Sequence, residues 1–285
     1  MKPLRAAAVQ MTFATTVGGN LEKIRAALAE ASRRKADVVL FPECATTGYS
    51  HDFRSLRPGE VRDALSVVGE LARHHGMNIL VGSPLFVGQK LCNALVVFDR
   101  KGRAVHAYAK CQLTALDRKT FSPGDAVALF EIDGVATTSI ICHERRYPEL
   151  VRLAVMAGAR VVFHPNAGLD TLAVSKTKRN GRDGIDARAF ENDVYYVFAN
   201  SVGPQGGGKW SAGDSKIVAP DRTRLALADN AGEGVIVADL DLSKATGKYA
   251  ADSLVRPRFL SAHWKRMVAD VRRRAKESLR RLGLE

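Results

Sequence analysis

The chain has 285 residues, 46% of them hydrophobic and 26% charged, which is typical of a globular protein with a sizeable core and excludes a disordered or fibrous one. Lys and Arg number 43 against 30 Asp and Glu, so the formal net charge is +13. About half of this excess lies in residues 256–285, and the rest of the chain is therefore only mildly basic.

Cysteine usage and hydropathy indicate where the protein works. The four cysteines show no C-x-x-C pair and no histidine spacing typical of zinc, and they are too few for a disulfide framework. No apolar stretch approaches the roughly 20 residues of a membrane span, and the apolar run at 4–9 is too short for a signal peptide. We therefore expect a protein of the reducing cytoplasm with no membrane partner.

Apolar periodicity in the first half predicts strands that alternate with helices and then pair in hairpins. Asn20 is predicted to cap the first helix, and Pro58 to begin a second helix that stops at Gly76. Turn sequences at 99–102 and 133–134 each separate two strand-like runs. The predicted strands are 4–11, 37–41, 78–82, 91–98, 104–109, 127–132 and 135–142.

The second half resumes this alternation and then closes on strands alone. Helices are predicted from Pro148 to about Gly158 and over 183–192. The segment 203–208 is glycine-rich but lacks the Lys-Ser/Thr ending of a phosphate loop, so we expect a mobile surface segment there. The predicted strands are 161–164, 194–200, 214–219, 224–228 and 234–239. This count fits an α/β protein with two mixed sheets and helices outside.

The C-terminal segment reads as a basic amphipathic helix. We expect residues 259–285 to form a tail helix that follows a catalytic domain at 1–258. A docked or subunit-contacting helix is the favoured interpretation, and binding of a polyanion is the alternative. The predicted apolar stripe, with arginines opposite, is Met267, Val271, Ala275, Leu279 and Leu282.

Three polar residues follow apolar runs that are predicted strands: Glu43, Lys110 and Cys142. Because ligand crevices form at the carboxyl ends of strands, the three side chains are expected to face one pocket. Taken singly, each has an ordinary interpretation. A cysteine after two isoleucines is more often a small core residue than a nucleophile, and a lysine after a strand is usually solvated.

The segments around these three residues resemble the signature segments of the nitrilase superfamily of carbon-nitrogen hydrolases, in the order of that family. The resemblance covers roughly residues 4–241 and leaves the tail outside. The three signatures and two supporting segments are Phe41-Pro42-Glu43 with Gly48-Tyr49, Tyr108-Ala109-Lys110, 141–149, Phe121-Ser122-Pro123-Gly124 and 187–192.

The resemblance implies a four-layer α-β-β-α sandwich, a homo-oligomer of at least two chains, and catalysis by Glu43, Lys110 and Cys142 without any cofactor or metal. The residue chemistry agrees, because a thiol with a pKa of about 8.5 needs a base or a positive neighbour to be an effective nucleophile at neutral pH. Lys110 can stabilise a thiolate and, with the backbone N–H of His143, the later oxyanion. Glu43 can carry a proton to the departing nitrogen and then activate water.

Two departures from the family pattern bear on the site. Asp117 stands where the family usually has a second glutamate, and we expect the shorter carboxylate to keep a role beside the lysine. The doublet Arg145-Arg146 is similar to the one that grips the substrate carboxylate in N-carbamoyl-D-amino-acid amidohydrolases, a task that suits a guanidinium fork. The alternative is an exposed or salt-bridged helix start with no ligand.

Four other residues are placed near the substrate by the resemblance and by their positions at strand ends. Tyr49 and Asn166 are expected to contact it. His164 is expected either to line the pocket or to be a satisfied structural histidine. The side chain of His143 is not expected to reach Cys142, because adjacent residues leaving a strand point in different directions.

The sequence therefore predicts hydrolysis of a non-peptide C–N bond in a small amide or N-carbamoyl compound through a thioester on Cys142. Attack of the same thiol on a nitrile ranks lower, by analogy with relatives. Two rivals belong to other classes. A nucleic-acid-binding protein with an idle site would show steep salt dependence, and a papain-like hydrolase would need a histidine such as His164 on the thiol.

Overall fold

Two six-stranded sheets form the centre of the protein, which a computed structural model describes over residues 3–49, 52–178 and 184–284. A separate two-stranded hairpin accompanies them. The strands are β1 (Leu4–Gln10), β2 (Val38–Leu40), β3 (Asn78–Val87), β4 (Lys90–Phe98), β5 (Ala104–Ala109), β6 (Phe130–Ile132), β7 (Val135–Ser139), β8 (Val161–Asn166), β9 (Tyr195–Asn200), β10 (Val202–Gly206), β11 (Lys209–Ala212), β12 (Lys216–Val218), β13 (Arg224–Leu227) and β14 (Gly234–Leu240).

Helices cover the outer faces of both sheets. They are α1 (Val17–Arg33), α2 (Pro58–His75), α3 (Pro148–Met156), α4 (Leu172–Lys178), α5 (Ile185–Asn192), α6 (Lys248–Ser253), α7 (Arg258–Lys276) and α8 (Ser278–Arg281). Asp183, the predicted start of the fifth helix, lies outside the described residues. None of the described helices is both long enough and apolar enough to cross a bilayer.

Each sheet has a parallel centre and antiparallel margins, as the mixture of crossover helices and hairpin turns predicts. The first sheet has the order β14-β1-β2-β3-β4-β5, with β1, β2 and β3 parallel. The second has the order β13-β12-β9-β8-β7-β6, with β7, β8 and β9 parallel. The chain builds the first sheet, then the second, and returns to the first with β14.

Three apolar clusters separate four layers. Alternation along a strand sends Val39 towards α1 and α2, and its neighbours Val38 and Leu40 towards the second sheet. A third cluster lies between the second sheet and the helices α3, α5, α6 and α7. The expected α-β-β-α sandwich with two mixed sheets is therefore confirmed.

The sequence predicted one cap wrongly and left one hairpin unpredicted. Thr16, not Asn20, caps α1, because its side chain accepts from the N–H of Gly19; Asn20 lies inside the helix and its buried amide bonds Ala14. The glycine-rich segment 203–208, for which no strand was predicted, forms most of β10 and the turn to β11 in the hairpin. The hairpin also bonds α4, since Ser175 donates to the carbonyl oxygen of Trp210 at 2.9 Å.

The tail helices dock on the body of the protein. Val268 and Val271 are buried against the third cluster, whereas Met267, which was assigned to the apolar stripe, is 43% exposed. At the far end, Ser278 bonds the ring of the buried His106 at 2.8 Å. The tail therefore spans from the helices of the second sheet to β5 at the edge of the first.

Candidate active site

Glu43 lies on a buried turn that follows β2 and packs directly against β3. Gly82 faces this turn, and a Cβ atom there would lie 2.3 Å from the carbonyl oxygen of Pro42. Only glycine lets the strand approach so closely. The fit brings the fully buried side chain of Glu43 within reach of groups from both sheets.

Among the described residues, three nitrogen donors bond the carboxylate of Glu43. Its Oε1 atom accepts from Lys110 Nζ at 2.8 Å and from Asn93 Nδ2 at 2.7 Å. Its Oε2 atom accepts from the backbone N–H of Ala167 at 3.0 Å. Ala167 follows β8, so one carboxylate connects the carboxyl ends of strands in the two sheets.

Lys110 is fully buried between two carboxylates. Its Nζ atom lies 2.9 Å from Asp117 Oδ2 in addition to its contact with Glu43. Burial disfavours both charged forms, but their mutual attraction prevails: the pKa of Lys110 stands well above its ordinary value and that of Asp117 below it. The shorter side chain at 117 therefore still reaches the lysine, and the hydroxyl of Tyr49 and the N–H of Thr114 donate to it.

Cys142 begins a 3₁₀ turn just beyond β7 and has left-handed backbone angles, with a φ of 52°. Glu144 holds this turn in place. Its buried carboxylate accepts from Ile141 N at 2.7 Å, from Cys111 N at 2.7 Å and from the hydroxyl of Tyr108 at 2.8 Å. Glu144 thus ties the cysteine turn to the segment that carries Lys110.

The thiol of Cys142 faces Glu43 and is protonated at neutral pH. Burial, then the charge of Glu43 and a hydrogen bond to it, raise the pKa of Cys142 to about 12, although Lys110 and Arg145 act in the opposite direction. Lys110 thus favours the thiolate, as expected, but its effect is smaller than those of burial and Glu43. A thiol beside a carboxylate can instead give up its proton during attack.

A cavity of about 610 Å³ opens over these groups. Its walls come from both sheets and from the turn after Cys142, and they include Lys110 and Cys142 themselves. The lining residues used below are Tyr49, Lys110, Cys142, His143, Arg145, Arg146, Asn166 and Asn200.

Arg145 and Arg146 line this cavity, and neither side chain meets a carboxylate within the part of the chain that the structure describes. Arg188 fixes the backbone of the doublet by donating twice to the carbonyl oxygen of Arg145, at 3.1 and 3.0 Å. Asn166 is 6% exposed; its Nδ2 atom donates to Asn200, but its Oδ1 atom has no partner among the described residues. The cavity therefore offers two cationic groups and one buried acceptor.

The two histidines near the nucleophile differ in position. The ring of His143 lines the cavity and packs edge-on against Tyr147, and burial, followed by Lys110 and the two arginines, lowers the pKa of this imidazole. His164 is fully buried, and its ring bonds the carbonyl oxygen of Cys142 at 3.1 Å and the hydroxyl of Tyr196 at 3.1 Å. These contacts favour the structural interpretation of His164, because its bond goes to the backbone of Cys142 and not to the sulfur.

The sequence alone did not indicate two donors to Glu43 or the role of Glu144. Asn93 carried a signal, since it is a single amide within the apolar run of β4. The N–H of Ala167 and the hydrogen bonds of Glu144 carried none, because they depend on how distant segments meet. Within the described ranges, no cluster of three or more His, Cys, Asp or Glu side chains could hold a metal ion.

Comparisons with known proteins agree with this geometry. A family model described as carbon-nitrogen hydrolase matches residues 5–248. A Pseudomonas protegens protein named "Hydrolase in pqqF 5'region" is 32% identical over 83% of this chain and 84% of its own length. The 2-oxoglutaramate amidase of Bacillus subtilis is 29% identical over 82% and 90%.

A solved structure of an amidase of the nitrilase superfamily from Nesterenkonia superimposes with a TM-score of 0.79 at 27% identity, covering 92% of this chain and 97% of that one. A variant of that amidase carries the acetamide moiety of fluoroacetamide covalently on its active-site cysteine.

Proposed function

Because the chain belongs to the carbon-nitrogen hydrolase family and is a cysteine-dependent enzyme of that family, we propose that it hydrolyses small amides or N-carbamoyl compounds that carry a carboxylate. The observation that supports this proposal is the buried contact of Glu43 with Lys110 beside the thiol of Cys142, since Lys110 and Cys142 both line the cavity. A charged pair without solvent contact is costly to bury, so its place beside a nucleophile favours a catalytic role.

The first half of the proposed cycle forms a thioester. Sulfur of Cys142 attacks the carbonyl carbon as its proton passes to Glu43, and the carbonyl electrons move to oxygen. Lys110 and the backbone N–H of His143 stabilise that oxyanion. The oxyanion then reforms the carbonyl, the C–N bond breaks, and Glu43 returns its proton to the nitrogen, which leaves as ammonia or an amine.

The second half releases the acid. Glu43, again a carboxylate, takes a proton from water as the water oxygen attacks the thioester carbon. The C–S bond breaks, and the sulfur leaves as a thiol after it receives the proton from Glu43. Asp117 keeps the ammonium of Lys110 in place throughout the cycle. With Glu43 as its one carboxylate partner, the lysine would move whenever Glu43 changed its charge or position.

The substrate class follows from the charges in the cavity. Two guanidinium groups that meet no carboxylate among the described residues suit a substrate carboxylate, and the Oδ1 atom of Asn166, which has no partner in the same part of the chain, suits an N–H group beside it. The B. subtilis relative is named for 2-oxoglutaramate, a molecule that has both an amide and a carboxylate. We therefore rank ω-amides of carboxylic acids and N-carbamoyl amino acids above neutral amides and nitriles.

An ammonia-release screen tests this proposal. The panel contains N-carbamoyl amino acids, ω-amides, simple aliphatic amides and nitriles, and we expect turnover of a carboxylate-bearing member. Cys142→Ala should reduce that turnover by at least about 10⁴-fold, because the thioester cannot form without the sulfur of Cys142. Turnover that survives in Cys142→Ala would place the chemistry elsewhere.

One control variant distinguishes the proposed mechanism from that of a papain-like Cys-His hydrolase. His164→Ala should leave measurable turnover, since the imidazole supports the backbone of Cys142 and does not touch its sulfur. A variant as inactive as Cys142→Ala, yet folded, would favour a Cys-His mechanism. The nucleic-acid rival predicts salt-dependent binding of DNA or RNA in place of turnover.

We also propose that the protein is a homo-oligomer of at least two chains and that it acts in a reducing cytoplasm. All four cysteines are free, which suits a reducing compartment. Light scattering on the purified protein measures the oligomeric state directly, and a monomer at micromolar concentration would contradict it.

A further inference from the structure

Asn93 is a fully buried amide in β4, a strand whose other residues are almost all apolar. Alternation places its side chain on the same face as Leu95 and Val97, which pack against the second sheet. A polar side chain in that layer is costly unless its hydrogen bonds are made. The hydrogen-bond partners of Asn93 therefore indicate the role of this buried amide.

The partners of Asn93 are all in the catalytic segments. Its Nδ2 atom donates to Glu43 Oε1 at 2.7 Å, and its backbone carbonyl accepts from Lys110 N at 2.8 Å. Its Oδ1 atom lies 3.7 Å from the sulfur of Cys44, the residue after Glu43. The amide orientation follows from the carboxylate, which accepts only, so the NH₂ group must face Glu43.

We infer that Asn93 is a positioning residue of the hydrolysis, which holds the carboxylate of Glu43 as a proton acceptor directed at Cys142. This inference rests on the proposed function. A carboxylate has about four lone-pair sites, and Lys110 and Asn93 occupy the two on Oε1 while Ala167 occupies one on Oε2. The remaining site, on Oε2, is then the one that receives the proton of the thiol.

The pH dependence of the reaction reports this role. Asn93 donates to Glu43 through an uncharged amide, and this bond favours the carboxylate over its protonated form. Without that bond the carboxylate loses a donor that stabilises its proton-accepting form, and the acid limb of the rate profile is expected to move to higher pH. Within the described ranges, the ionisable groups that interact with Glu43 are Lys110, Tyr49, Cys44 and Cys142, and Asp117 contacts Lys110.

The experiment compares Asn93→Leu with Asn78→Leu. Asn78 is a buried asparagine of the same sheet whose side chain bonds the carbonyl oxygen of Asp37, away from the site. The readout is alkylation of Cys142 by iodoacetamide from pH 4 to 9, in which an S–C bond forms as iodide leaves. Peptide mass spectrometry separates Cys142 from the other cysteines.

We expect Asn93→Leu to slow alkylation at pH 6 by about tenfold and to move its acid limb up by about one pH unit, as the loss of one charge-assisted bond predicts. Asn78→Leu should keep the wild-type profile. An unmoved acid limb in Asn93→Leu overturns the inference, whether or not the rate falls, since a purely structural role lowers the rate at all pH values alike.

Asn93→Asp covers the case in which the leucine variant does not fold. It preserves the volume but puts a second carboxylate against Glu43, so the two share a proton and the acid limb should again move up. A wild-type limb in this variant also overturns the inference. Because alkylation needs no substrate, this test can be made even if the amide screen fails. Normal amide turnover together with an unshifted alkylation profile would reject the role of Asn93 and leave the proposed function standing.

Discussion

Arg145 and Arg146 differ from the other cations that line the active-site cavity. Lys110 is paired with Glu43 and Asp117, and Lys178 with Asp170. Within the described residues the two arginines meet no carboxylate, so their charge is available to a ligand.

We expect Arg145→Gln and Arg146→Gln each to raise KM for a carboxylate-bearing amide by about 10- to 100-fold, the range of a lost charge-assisted bond. KM for a neutral amide of similar size should change by less than about threefold. Steady-state kinetics on both substrates, with the exposed Arg258→Gln as the charge-matched control, measures the difference. Equal effects on the two substrates would contradict carboxylate recognition.

For single residues, the sequence predicted the site where a polar or reactive side chain directly follows an apolar strand. Glu43, Lys110 and Cys142 follow predicted strands, and the first two are in direct contact. Asp117 was assigned to the lysine in spite of its length, and the contact is present at 2.9 Å. The protonation state of Cys142 was not predictable, because it depends on burial and on the distance to Glu43, which only the packed sheets define.

Among the elements, α7 and α8 show that a basic segment can be held chiefly by apolar contacts. Val268 and Val271 are each 5% exposed, whereas the side chain of Asp125, which pairs with Arg274 and Arg281, is 70% exposed. Exposed ion pairs contribute little to stability, and buried aliphatic groups contribute more.

We therefore expect Val271→Ala and Val268→Ala each to lower the free energy of unfolding by about 1–3 kcal/mol, and Asp125→Asn by less than about 1 kcal/mol. Urea unfolding at neutral pH measures all three. The reverse order would mean that the tail is held by its charges, and it would revive the interpretation of a segment poised for a polyanion.

Turn chemistry explains which elements the sequence predicted well. The pair β4 and β5 is separated by a polar turn ending in glycine, and its strands agree with the prediction to within a residue. The hairpin of β10 and β11 was missed because its strands contain Gly203, Pro204 and Gly206, which lower strand propensity. Its pairing is supported instead by α4, to which Ser175 bonds it.

Over the whole molecule, chain order predicted the layers but not the sheet edges. Three parallel strands with intervening helices, followed by hairpins, occur twice, and each series forms one sheet. The return of β14 to pair with β1 has no local signal. It depends on a register of seven residue pairs, from Leu4 with Leu240 to Gln10 with Gly234, formed between the two ends of the fold.

Acid stability is a property of the whole fold, because two histidines are buried in different parts of it. Burial lowers the pKa of His106 to about 3, and burial together with Arg145 and other cations lowers that of His164 well below its ordinary 6.5. Below pH 6.5 the unfolded chain therefore binds protons that the folded protein does not, and stability falls as the pH drops from about 6.5 towards 3.

Between pH 7 and pH 5 each buried histidine should cost about 2 kcal/mol of unfolding free energy, while most carboxylates are still ionised. His106→Asn keeps a partner for Ser278 but does not titrate. Between pH 7 and pH 5, the variant His106→Asn should lose about 2 kcal/mol less unfolding free energy than the wild type, which is the contribution of one buried histidine. Urea unfolding of both proteins at the two pH values provides the comparison, and parallel losses would show that His106 takes up its proton at the same pH in the folded and the unfolded protein.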